Sequence, residues 1–390
     1  MRQFGRIDRE LDDGLLDALL KPPTAPSLVL DADRVVLHGA GAMGRLACSV
    51  LAHLGIRVDC MMDRAAKPGQ TIPPNLEVVR PDDPILATKR AETIVLVTTV
   101  SAPFEAVRDE LHAIGWQNVH PFYDYANQFV DRHPLNNGWF APARTDGDRL
   151  AISRILGALA DDVSRAHYIQ FLAWRLLRED WIFQNAPIVA ETRFFIPEIR
   201  SFLEARDLCF VDAGAYDGRV LQQLLAITEG HIEQALLFEP DPDNRALLHT
   251  YLDTVPADMR ERTKVYPFAL GNRTGRQPFA AGYGLMSRIC REGETEIASA
   301  SVDVVCLDDL DLTVSFAKFH LEGAEYDALE GAKATIRRQR PVIAATVYHN
   351  ADGLFRTLTH LLDQAADYAL YFRLHSWCGT GATVYGIPKT

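Results

Sequence analysis

The chain has 390 residues, 48% of them hydrophobic and 24% charged, with a formal net charge of -12. One hydrophobic core usually stops growing at ~250–300 residues, so two domains are expected, and the composition leaves little room for long disordered tails. The acidic balance argues against nucleic acid or an anionic membrane as main partner, because such binding rests on Lys and Arg neutralising phosphate.

No run reaches the ~20 apolar residues of a membrane helix, and the N-terminus mixes both charge signs without the apolar core of a signal peptide, so a cytoplasmic protein with no membrane partner is expected. The cysteines, Cys48, Cys60, Cys209, Cys290, Cys306 and Cys378, form no C-x-x-C pair. Neither a disulfide framework nor a metal centre is expected from them.

A lead over residues 1–30, helical in pattern, ends in the Pro-rich break KPPTAP (21–26). Residues 31–145 then alternate. RVVLHG (34–39), RVDCMMD (57–63), LEVVR (76–80) and ETIVLVTT (92–99) are strand-like, whereas 43–54 and 102–114 have helical spacing. Such alternation belongs to a parallel, helix-covered sheet. Gly39, Gly41 and Gly44 spell G-x-G-x-x-G directly after the first strand, and Asp63 closes the second. That is the dinucleotide fingerprint in its required context: glycines for the turn and the pyrophosphate approach, the acid for a ribose. No Tyr-x-x-x-Lys accompanies it, so a nucleotide or nucleotide-sugar site and a unit that only docks both stay open.

Residues 146–205 read as a helical bridge, with Ile152, Ile155, Leu156, Leu159, Val163, Phe171, Leu172, Leu176 and Leu177 mostly recurring at three and four. Alternation resumes over residues 206–390. FVDAGAYDG (210–218) is a buried-type strand running into Asp212, Gly214 and Gly218, and small residues there let the backbone approach a ligand. ALLFEPDPDNRALL (235–248) ends its strand on Glu239, placed to accept hydrogen bonds from both hydroxyls of a ribose. VYPFALGN (265–272) is a strand followed by a turn, Ala269 and Leu270, where an adenine ring could lie. FAKFHLEGAEYDALEGA (316–332) opens from strand to helix through Glu322, Gly323 and Glu325, and PVIAATVYH (341–349) ends on His349. The final strands, ALYFRLH (369–375) and ATVYGIP (382–388), are joined by a link too short for a parallel crossover, so the last strand is expected to run antiparallel.

FVDAGAYDG, FEPDPDNRALL, the LEGAE box, the VYH strand end and the closing YFRLHS and ATVYGIP segments together resemble the FkbM-type methyltransferases. The bridge with TRFFIPEI (192–199), and HGAGAMG (38–44), resemble the longer members that carry an extra N-terminal Rossmann-like domain. The resemblance implies an α/β protein of two doubly wound Rossmann-like domains joined by a helical bridge, the second a class I methyltransferase fold with an antiparallel last strand. It implies S-adenosyl-L-methionine (SAM) as cofactor, with Asp212, Gly214 and Asp217 at its methionine end and Glu239 at its ribose; Tyr216, Pro240, Asp241, Ala269 and Leu270 are further candidates for binding it. The implied reaction is O-methylation of a hydroxyl on a sugar, glycan or other small-molecule natural product. One departure stands out. Where the family usually has aspartate before E-G-A-E, this chain has His320, which removes a carboxylate from that place.

An aliphatic hydroxyl has to lose its proton, and histidine suits a general base near neutrality. His320 and His349 both follow strands of the second unit, with Glu322 beside the first; the family pattern favours His349. Two rival functions remain: an NAD(P)-linked oxidoreductase centred on the N-terminal unit, and a SAM-binding protein without catalysis. The apolar bridge also admits a homodimer.

Overall fold

The computed structural model describes residues 2–5, 7, 13–21, 34–72, 75–88, 90–129, 132, 141, 145–204, 208–291, 294, 297–365 and 367–389. From Pro22 onward the Pro-rich break lies outside the described residues.

Six strands form the N-terminal sheet, in the order Thr71–Ile72, Leu76–Val79, Arg57–Met62, Arg34–His38, Ile94–Val97 and Asn118–Pro121. All pairs are parallel except the hairpin of Thr71–Ile72 with Leu76–Val79. The two end strands escape a pattern reading because they are short and carry polar or proline residues. Gly44 opens the first turn of the helix Ala42–His53, where a Cβ would collide with the Gly39 carbonyl. This is the close helix–strand packing that the third glycine of the fingerprint permits.

The second sheet has seven strands, in the order Thr263–Tyr266, Gln234–Phe238, Cys209–Ala213, Phe316–Phe319, Val342–Thr346, Ala382–Pro388 and Tyr368–Leu374. Only Ala382–Pro388 runs antiparallel to its neighbours, as the short link before it requires. Strand order reverses between Cys209–Ala213 and Phe316–Phe319, so a crevice opens at their carboxyl ends. VYPFALGN, expected as one strand and a turn, is split by Pro267 into Thr263–Tyr266 of this sheet and Ala269–Leu270 of another. Proline has no N–H to continue a ladder, so the chain changes sheets there. The second of these segments joins Ala300–Val305, Gly275–Ala280 and Arg288–Ile289 in a four-stranded sheet that the sequence pattern does not show.

The bridge consists of the helices Asp146–Ala158 and Asp162–Leu177, but it does more than connect. Every residue from Ser164 to Leu176 is buried, the polar Arg165, His167, Gln170 and Arg175 among them. The second helix lies along the edge strand Tyr368–Leu374: Phe372 N donates to Ser164 Oγ (3.0 Å) and Leu374 N to His167 Nδ1 (3.1 Å). Arg373 Nη2 pairs with Asp161 Oδ2 (2.7 Å) and Glu198 Oε1 (2.6 Å). Covering this edge removes a free ladder that would invite pairing with another chain. Past the helices, Trp181–Phe183 pairs in parallel with Arg2–Phe4, so both the lead and the bridge contain a strand where helix alone was expected. No helix among the described residues is long and apolar enough to cross a membrane.

Asp180, at the end of the bridge, accepts a hydrogen bond from Glu105 N (3.1 Å) in the first turn of the helix Phe104–Ala113. Burial pushes its carboxyl up to about 7. The folded state therefore holds this proton more tightly than the unfolded chain, and stability falls as pH rises from about 4 to about 7. Asp180→Asn keeps the acceptor without the charge. It is expected to stabilise the protein by up to about 4 kcal/mol above pH 7 and by little near pH 4. Denaturant unfolding at both pH values checks this, and a difference independent of pH would refute it.

Candidate active site

The turn after Cys209–Ala213 is built on left-handed backbone at Gly214 (φ 81°), Tyr216 (φ 50°) and Gly218 (φ 83°). A Cβ on Gly214 would collide with the His320 carbonyl, so the two loops cross backbone against backbone. Gly214 N and Ala215 N both donate to Phe238 O (2.9 and 3.0 Å), which ties this turn to the neighbouring strand.

Glu239 sits at the end of that neighbouring strand and is 5% exposed. Its Oε2 accepts from Tyr216 N (2.9 Å), and its Oε1 accepts from Asp241 N (3.0 Å) and Asn244 Nδ2 (3.4 Å). The carboxylate thus fixes two loops and, of about four acceptor positions, keeps room for a further donor. Burial raises its pKa, opposed by these hydrogen bonds.

Glu239 lines an open cleft at the carboxyl ends of these strands. Gly214, Tyr216, Pro240, Ala269 and Leu270, all expected at the site, line it too. So do Phe279, Arg288 and Ile289 from the four-stranded sheet and Leu285 from the turn between two of its strands. None of the described bridge residues does.

Three expected carboxylates stand outside this lining. Asp212 is fully buried, its Oδ1 2.8 Å from Lys318 Nζ, which also donates to Gly214 O (2.7 Å). Asp241 caps the helix Pro242–Leu252 through Asp243 N (2.9 Å) and takes Gly282 N (2.8 Å) on its other oxygen. Asp217 pairs with Arg219 Nε (2.8 Å) at the next helix start. Each is engaged in holding a loop, because a carboxylate that leaves water needs donors and these were the nearest.

His320, Leu321 and Glu322 line the cleft as well. The two histidines are placed differently. His349 is 1% exposed and lies behind, its Nδ1 2.8 Å from Glu325 Oε1 and its Nε2 3.2 Å from Glu322 Oε1. Those two carboxylates outweigh burial and raise its pKa well above the usual histidine value, so it is charged at neutral pH. His320 has a side chain 19% exposed, and burial pushes it down to about 3, so it is neutral. Its Nε2 is 3.2 Å from both Glu322 Oε1 and Tyr348 OH, and Tyr348 OH in turn accepts from Arg193 Nη2 (2.8 Å). Glu322 adopts left-handed backbone (φ 52°), and its carboxyl is held below the usual range chiefly by His349, against burial.

Glu325 accepts from Leu321 N (2.9 Å), Gly323 N (2.9 Å) and Thr346 Oγ1 (2.8 Å) besides His349. Arg193 and Tyr348 fall inside the TRFFIPEI and VYH segments, but neither stands out there as a site residue. The absence of an expected metal centre needs revisiting as well: His320, Glu322 and His349 bring three ligand-type atoms within 4.8 Å of one another.

The N-terminal unit has its own cleft, of about 950 Å³, at the carboxyl ends of its strands. Gly39, Gly41, Gly44 and Asp63 line it with Thr98, Thr99 and Arg64. Asp63 is already engaged, accepting from Ala40 N (3.0 Å) and Ala65 N (2.9 Å).

A sheet reversing direction at its crevice, a single antiparallel strand next to its edge, and a strand-end acid in the cleft define the class I methyltransferase fold. Residues 212–370 match the family model of the methyltransferase FkbM domain. The crystal structure of methyltransferase FkbM from Methylobacillus flagellatus KT superposes with a TM-score of 0.62 at 21% identity, over 96% of this chain and 97% of that one. The whole-chain arrangement, N-terminal sheet included, is thus a fold shared with that protein. Precorrin-6y C5,15-methyltransferase from Geobacter metallireducens GS-15 matches at a TM-score of 0.30 and 13% identity, over 53% of this chain and 96% of that one. A methyltransferase from Geobacter sulfurreducens matches at 0.29 and 13%, over 53% and 84%. No curated protein is significantly similar in sequence.

Proposed function

We propose that the chain transfers a methyl group from SAM to a hydroxyl of a sugar, glycan or other small-molecule natural product. The observation that carries this reading is a single cleft lined by Glu239 and by His320 with Glu322, together with the apolar Ala269, Leu270, Phe279 and Ile289. These residues fit SAM. The buried acid suits a ribose hydroxyl, the apolar slot suits a flat base, and the crossing of the Gly214 and His320 loops leaves backbone facing the remainder.

Bound there, SAM supplies a sulfonium methyl: the O–C bond forms as the C–S bond breaks, and the acceptor hydroxyl gives up its proton. Much of the catalysis then lies in alignment, which Gly214 and Tyr216 on one side and Leu321 on the other provide by shaping the cleft. An acceptor that must be deprotonated explains why a neutral histidine and a carboxylate stand together in the cleft.

Glu239→Gln keeps the shape and removes the charge and one acceptor. It is expected to weaken SAM binding by roughly 1 to 3 kcal/mol, read by calorimetry. For the activity, methyl-labelled SAM is offered with a panel of monosaccharides, nucleotide sugars and polyketide-type alcohols. Label in an ether product supports the reading. No heat with SAM or S-adenosylhomocysteine at millimolar ligand would sink it, and turnover of any acceptor would exclude a purely SAM-binding role.

The N-terminal cleft favours a second, separate reading, a nucleotide site on the fingerprint glycines. Titration with NAD+, NADP+ and a nucleotide sugar should give binding that Gly41→Val abolishes. Absence of binding by the wild type retires it.

A further inference from the structure

Beside the cleft three ligand-type atoms converge, one of which, His349 Nε2, would give up its proton on binding an ion. Glu322 Oε1 lies 3.2 Å from His320 Nε2 and 3.2 Å from His349 Nε2. His349 is 1% exposed, yet its Nε2 makes no aligned hydrogen bond despite that approach. What meets that nitrogen is the Glu322 carboxylate, at a spacing and angle that leave the nitrogen facing the space between the three side chains rather than along a hydrogen bond.

The rest of His349 is held in place. Its Nδ1 lies 2.8 Å from Glu325 Oε1, and Glu325 is itself locked by Thr346 Oγ1, Leu321 N and Gly323 N. One imidazole nitrogen held by a fixed carboxylate while the other faces a cluster of ligand atoms is how proteins orient a metal-binding histidine. The spacing agrees. Bonds of about 2.0–2.1 Å around a tetrahedral ion place neighbouring ligand atoms about 3.3 Å apart, close to both separations from Glu322.

We propose that His320, Glu322 and His349 bind a divalent transition-metal ion of the zinc type, with Glu325 orienting His349. Two imidazoles and one carboxylate suit Zn2+ or Co2+, whereas Mg2+ and Ca2+ take oxygen ligands. His320, where this chain departs from the aspartate usual in FkbM-type methyltransferases, supplies the second imidazole. Three protein ligands leave a position open, and His320 and Glu322 line the cleft, so the ion borders the cleft. Its catalytic role rests on the methyl-transfer reading: a dication beside the acceptor hydroxyl favours loss of its proton to solvent as the O–C bond forms.

The test uses the full chain, stripped with a chelator and titrated with Zn2+ by calorimetry and with Co2+ by absorption. One equivalent should bind at micromolar or lower concentration, and the Co2+ spectrum should lack the intense bands of thiolate ligands. His320→Ala, Glu322→Gln and His349→Ala should each lose about 100-fold in affinity or more, and Glu325→Gln about 10- to 100-fold. Thermal unfolding confirms that each variant folds. Since His349 is wholly buried, the more exposed His320→Ala decides: binding undiminished there, or no binding by the wild type at millimolar metal, overturns the proposal. SAM calorimetry on metal-free protein is run separately. Loss of SAM binding with metal binding intact would sink the methyl-transfer reading and leave the metal site standing.

Discussion

Lys318→Ala is expected to cost the fold about 3–5 kcal/mol, the usual penalty for leaving one partner of a buried ion pair without the other. Lys318 is 1% exposed and Asp212 fully buried, their Nζ and Oδ1 2.8 Å apart. The same ammonium holds Gly214 O (2.7 Å) and lies 5.5 Å from the centre of the Phe194 ring, so its loss frees the turn that lines the cleft. Burial raises the Asp212 carboxyl and Lys318 opposes this, so the single variant leaves a carboxylate that must be protonated or water-exposed. The double variant Lys318→Met with Asp212→Leu replaces the pair by apolar groups and should recover most of the stability. Denaturant midpoints of the three proteins decide the matter. A single variant within about 1 kcal/mol of wild type would show that the pair is not what holds this loop.

His320→Ala is expected to lower turnover by roughly 100-fold or more on whichever alcohol the acceptor panel turns up, with SAM affinity nearly unchanged. The reasoning is geometric. His320 reaches the cleft and His349 does not, and a histidine clamped between Glu322 and Glu325 is already protonated. Whether His320 takes the proton itself or holds a cation that releases it, its removal disables proton loss from the acceptor and spares Glu239. SAM affinity falling together with turnover would mean that the loop crossing at Gly214 had collapsed instead. Near-wild-type turnover in His320→Ala, with a large loss in His349→Ala, would return proton transfer to His349.

The sequence was legible wherever a signal is local. Strand periodicity together with small residues at strand ends located Cys209–Ala213, Gln234–Phe238 and the turns after them, and the shortness of the SWCGTG link was enough to make Ala382–Pro388 antiparallel. It failed where the signal is diffuse. The four-stranded sheet behind Ala269 and Leu270 is made of short segments with mixed polarity, two of them two-residue strands, and Pro267 hid the change of sheet. The helices of the bridge were legible but its strand Trp181–Phe183 was not, and its packing against Tyr368–Leu374 shows only in three dimensions, through Ser164, His167 and Arg373.

By itself, then, the sequence determined two helix-covered sheets, the turn glycines Gly214 and Gly44, and the position of Glu239 at a strand's carboxyl end, because spacing and strand-end chemistry depend on neighbours in the chain. Only the tertiary structure decided which polar side chains meet the cleft. Asp212 turns to Lys318, 106 residues away, Asp241 turns to Gly282, and His349 retires between two glutamates while His320 comes forward. A charged group leaving water takes the partner that folding brings to it, and that partner comes from a distant strand or loop which no local pattern specifies.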